Sequence, residues 1–154
     1  MLMQPALPCV LRSRYQAFRQ QMWSGTHVPT DVLQLCRAYC AIIHGAYQPE
    51  AHGGLSTAQA AALLRHDVSE FSAGEHAALT VCAKVPLAHH EVSDAEIASL
   101  TQHFGEAGTV SLLVAIAFFD VECRMGKTMG QAFAAELTGA TDQRTSATEV
   151  MDVN

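Results

Sequence analysis

The sequence predicts an all-α fold, a single-domain bundle of five to six helices. Three observations predict it. Alanine, the strongest helix former, is the commonest residue with 25 copies, and only five prolines interrupt the chain. At three places a serine stands three residues before a glutamine or glutamate, the signature of a capping box that satisfies the first free N–H groups of a helix. No stretch alternates apolar and polar residues for long enough to make a strand.

The elements follow in order. Residues 10–23 form the first expected helix, closed by Ser24-Gly25. Pro29 occupies a first-turn position where its missing N–H costs nothing, and residues 30–47 read as the second helix. Pro49 and the pair Gly53-Gly54 make a loop. Ser56 with Gln59 opens a helix to about residue 65, Ser72 with Glu75 one to about 85, and Ser93 with Glu96 one to about 104. Pro86 and Gly105 are expected to stop the latter two. Residues 107–129 form the longest helix, with Val110, Leu113, Val114, Ala117, Phe118, Val121 and Met125 at helical spacing. A short helix at 131–137 closes a domain of residues 1–139, and residues 140–154 read as a polar tail.

Composition bounds the function. A chain of 154 residues, 49% apolar and 16% charged, suits one folded domain rather than disorder. A formal charge of −6 and a pI near 5.7 argue against a nucleic-acid-binding face. The longest strongly apolar run, Leu112 to Phe119, is about half the ~20 residues a membrane span requires. Pro5 and Pro8 break the N-terminal apolar stretch, which carries no basic leader, so neither export nor membrane insertion is expected. Five scattered cysteines suit a reducing cytoplasm, where thiols stay free.

The second helix concentrates the reactive side chains. Cys36, Cys40 and His44 lie at i, i+4 and i+8 on one drifting face, and Arg37 lies close to His44 in angle. In the functional reading Cys40 is a nucleophile, His44 accepts its proton and Arg37 favours the thiolate. In the structural reading both cysteines are small buried hydrophobes. No metal is expected, because a rise of about 12 Å separates Cys36 from His44. Cys82 and Cys123 lie in apolar helical runs and read as core. His89-His90 reads as a solvated turn, and His52, before Gly53-Gly54, reads as an exposed loop histidine in a place where it could face a pocket. Gly126-Lys127-Thr128 follows a helix and lacks the first glycine of a phosphate loop, so it is set aside. Asp120, Glu122 and Arg124 form a polar group after eight apolar residues, either an exposed helix end or an inward-facing site.

The order of these segments resembles the carboxymuconolactone decarboxylase and alkylhydroperoxidase D-like family. The resemblance runs from Gly54 to Gly130: Gly-Leu-Ser at 54–56, Phe71 to Leu79 (Phe-Ser-Ala-Gly-Glu-His-Ala-Ala-Leu), Val92 to Glu96, and Val114 to Phe119 leading to Arg124. It implies an alkylhydroperoxidase D-like helical fold assembled as homotrimers or hexamers. Redox members carry a Cys-x-x-Cys-x-x-x-His helix with a glutamate about twelve residues upstream. Tyr39-Cys40 and His44 look like its second half. Arg37 stands at the first cysteine position, Cys36 one residue earlier, Gly25 at the glutamate position, and Asp120 and Cys123 where asparagines are frequent.

The resemblance therefore implies a thiol-dependent hydroperoxidase, a peroxiredoxin-type antioxidant with Cys40 as nucleophile and His44 as base. It would need an external thiol reductant and no cofactor. The alternatives are a non-redox, decarboxylase-like enzyme of small molecules, with His44 moving the proton, Arg124 holding a carboxylate, and Asp120 and His52 as further substrate-binding candidates, or a catalytically inactive oligomeric binding protein.

Overall fold

The computed structural model describes residues 8–49, 51–130, 133 and 135. It is all-helical, with five α-helices and no strand among these residues. They are α1 (Cys9–Ser24), α2 (Thr30–Ile43), α3 (Thr57–Leu64), α4 (Ala73–Ala88) and α5 (Asp94–Met129), with a 3-10 turn (His89–Glu91) between α4 and α5. The expected segment at 131–137, apart from the helical Phe133 and Ala135, lies outside the described residues, as does the tail at 140–154.

All three capping boxes form. In each, the serine oxygen accepts from the third backbone N–H and the glutamine or glutamate reaches back to the serine N–H. These starts are legible because every partner lies within three residues.

The helix ends differ from expectation in two places. The second helix stops at Ile43, not 47, because Gly45 adopts φ +63°. Ala46 N–H then reaches the Ala41 carbonyl and Gly45 N–H the Ile42 carbonyl, a Schellman closure. His44 becomes the cap of α2 rather than a member of its face. The fourth helix runs through Pro86 to Ala88 instead of stopping at 85. Pro86 sits in the last turn, where its missing N–H forfeits one bond, to the Cys82 carbonyl, while its own carbonyl, left free at the helix end, accepts from Arg124 Nη2 at 2.6 Å. Gly105 does break the helical path, with φ 70° and ψ 176°, but as a kink inside α5.

The core is a trio of mutually packed helices, α2, α4 and α5. Leu35, Cys36, Cys40, Leu79, Val81, Cys82, Leu100, Leu112, Ile116 and Phe119 are buried at its centre. Helix α1 buries no residue fully and lies against α5 through rings: Tyr15 and Phe18 on Phe118, and Trp23 on Phe119. Gly108 lets the loop before α2 approach α5, since a Cβ there would stand 2.9 Å from the His27 carbonyl oxygen and 2.7 Å from Phe104 Cβ. By length and composition α5 could cross a membrane; its Leu112, Ile116 and Phe119 are core residues of this bundle.

Candidate functional site

Two clusters occupy neighbouring stretches of α2. The first is a knot of thiols. Cys40 Sγ lies 3.6 Å from Cys82 Sγ, and the Cys82 thiol donates to the Cys36 carbonyl at 3.4 Å. All three residues are fully buried and all three thiols are free. Hydrogen bonding to Cys36 and Cys40, reinforced by burial, pushes the Cys82 thiol well above the ordinary range, so it stays protonated. Cys40 thus faces a neutral thiol from α4, whereas an activated cysteine has a cation, a histidine or a helix N-terminus beside it.

The second cluster begins where α2 ends. As the cap residue, His44 projects toward α5, and its Nε2 meets Asp120 Oδ1 at 2.6 Å. Asp120 is held in turn by Arg124, four residues on, whose Nε lies 3.0 Å and 2.9 Å from its two carboxylate oxygens. Arg124 is anchored to α4 through the Pro86 carbonyl. Lys127 Nζ donates to the His44 carbonyl, placing positive charge on the exposed carbonyl end of α2. The His44 and Asp120 side chains are 11% and 17% exposed, and that of Arg124 is 54% exposed. The cluster is sheltered but reachable from solvent, and it joins α2, α4 and α5.

Arg37 belongs to neither cluster. Its Nη1 donates to the Ala51 carbonyl at 3.0 Å, and its Nε lies 4.0 Å from Glu122 Oε2. Glu122 also takes the Tyr15 hydroxyl at 3.0 Å and Arg19 Nε at 3.1 Å, so this carboxylate ties α1 and α2 to α5. Burial, and secondly the Glu122 charge, raises the Tyr15 pKa and keeps the phenol a donor. Burial lowers the Arg37 pKa against the opposing pull of Glu122. Next to Glu122, burial and then the charge of its neighbours push the Cys123 thiol up to about 12.

The structure therefore brings together His44, Asp120 and Arg124 of the expected site residues, and Cys36 with Cys40. It does not join the two sets, since His44 bonds Asp120 rather than the Cys40 thiol. His52 stands apart, its Nδ1 2.8 Å from the Gln48 carbonyl and its ring against Tyr47; burial lowers its pKa. Sequence reasoning misses the meeting of Cys82 with Cys40, and the role of Lys127, which enters it only as part of a discarded phosphate loop. Nothing local signals either contact. Among the described residues no three His, Cys, Asp or Glu side chains are arranged to hold a metal ion. An open cleft of about 230 Å³ between α1, the following loop and α5 is lined by Phe18, Met22, His27, Val28, Leu33 and Val114, none of them an expected site residue.

No family model, curated protein or solved structure matches this chain.

Proposed function

We propose that the chain is a small-molecule enzyme working by proton transfer, as in the decarboxylase-like branch of the family it resembles. His44 is the acid–base group, Asp120 its orienting carboxylate, and Arg124 the holder of a substrate carboxylate. The observation that carries this reading is the 2.6 Å contact between His44 Nε2 and Asp120 Oδ1 in a sheltered but open position. A carboxylate accepting the Nε2 proton leaves the lone pair of a neutral imidazole on Nδ1, which makes that nitrogen the base. The half-exposed Arg124 guanidinium supplies fork-shaped recognition of a second carboxylate. The chemistry suited to this set is removal and return of a proton on carbon next to a carbonyl, in a lactone or keto acid. A cytoplasmic location and a homo-oligomeric assembly belong to the same proposal.

The test is deuterium exchange. Small lactone carboxylates and keto acids incubated with the protein in D2O are followed by NMR for exchange of the activated C–H. We expect His44→Gln to slow exchange about 100-fold or more and Arg124→Gln to act mainly on KM. Exchange unaffected by His44→Gln, or absent across the panel, would overturn the assignment; absence would favour an inactive binding protein.

The 3.6 Å approach of Cys40 to Cys82 favours a second reading, the thiol-dependent hydroperoxidase. There Cys40 sulfur attacks a hydroperoxide, releasing an alcohol and leaving a sulfenic acid. The Cys82 thiol displaces water to form a disulfide, and two external thiols reduce it. This reading ranks second because the base lies on Asp120. Hydroperoxide consumption abolished by Cys40→Ser and Cys82→Ser, with His44→Gln neutral, would promote it.

A further inference from the structure

The outer face of α5 is unusually apolar. Val110, Val114 and Val121 are 62%, 46% and 48% exposed. With the exposed Ala107 and Ala117 they recur at successive steps of three, four, three and four residues. The core uses different positions on the same helix: Gly108, Thr109, Leu112, Ala115, Ile116 and Phe119. A three-four alternation is the spacing by which one helix receives another along a seam, and the small alanines allow close approach. Phe18 of α1, 44% exposed, widens the face beside Val114 and Phe118.

Charge says what covers it. Glu106 and Arg124 are both exposed and stand at opposite ends of the stripe. Five helical turns separate them, so they lie along one edge. Antiparallel pairing with an identical helix puts each glutamate beside an arginine, twice by symmetry. Parallel two-fold pairing puts the same edges on opposite sides of the seam, so neither glutamate meets an arginine.

We infer that this face binds a second copy of the chain, the two α5 helices running antiparallel about a two-fold axis between Ala115 and Ile116. Val110 then packs against the partner's Val121, and Val114 against the partner's Ala117. The interface is isologous, one patch meeting itself. The interface itself rests on the exposed stripe and its charges, independently of the proposed reaction.

Sedimentation and cross-linking test it on the full chain. We expect an assembly of an even number of chains at micromolar concentration. Val114→Lys should weaken association about 100-fold with the helical circular dichroism unchanged, because it puts like charges into an apolar seam. In a Cys9→Ser background, oxidising a mixture of Val110→Cys and Val121→Cys chains should cross-link the two kinds to each other. Val110→Cys alone should not link, since its copies lie roughly 16 Å apart along the axis. A stable monomer would overturn the inference, as would an odd-numbered assembly lacking the mixed cross-link. Cross-linking of Val110→Cys to itself would overturn the antiparallel pairing. A monomer that floats with anionic lipid vesicles would reassign the face to lipid.

Discussion

Four residues separate Cys40 from His44, yet the two meet opposite surroundings. Cys40 lies inside α2 with no exposed surface, its sulfur against the Cys82 thiol. His44 lies one position past the end of α2, against a carboxylate that a half-exposed arginine also holds. The helix end makes the difference. Inside a helix packed on two sides, a thiol is a convenient small filler. At its end, the free carbonyls attract Lys127, the chain turns, and water can reach a polar side chain. Chemical residue type alone does not distinguish a site from a core.

The largest expected effect comes from forcing the dry cluster to carry charge. Cys40→Asp should cost about 4 kcal/mol or prevent folding, whereas Asp120→Asn should cost about 1 kcal/mol, measured by urea unfolding. A stable Cys40→Asp protein would mean that water enters the thiols and would erase the contrast. A double-mutant cycle sharpens it. His44→Ala with Asp120→Ala should show a coupling of about 1–2 kcal/mol that shrinks in molar salt; coupling between Cys40→Ala and Cys82→Ala should not respond to salt.

The finest discrimination is chemical. With its thiol pushed up to about 12, Cys123 should carry about a thousandfold less thiolate than an ordinary thiol at pH 8, and its alkylation should keep accelerating with pH until near that value. The exposed Cys9 should label first, and Cys36, Cys40 and Cys82 only when the core opens. Peptide mass spectrometry reads all five rates. Rapid labelling of Cys40 near neutral pH would move the balance to the thiol reading.

What the sequence discloses follows the range of each interaction. The three serine caps and the break at Gly105 were legible because their causes lie within a turn of the chain. Pro86 was misread as a stop because the rule for proline counts a lost N–H, while the acceptance of an Arg124 hydrogen bond by its carbonyl comes from 38 residues away. His44, Asp120 and Arg124 were each recognised as polar groups in suggestive places. Their convergence spans 76 residues from His44 to Asp120, and no local spacing encodes it. Cys82 was hidden for the same reason: its apolar neighbours correctly marked it as core, and the identity of the side chain facing it is a property of helix packing.

Gly108 couples distant parts of this architecture. The missing methyl group there seats the His27 carbonyl directly on α5, below the start of α2 and beside the cleft under α1. A larger residue would act as a wedge, prising the loop from the long helix and tilting the foot of α2, whose far end carries His44. The meeting of His44 with Asp120 at one end of α2 is thus tied to a spacer of zero length beneath the other.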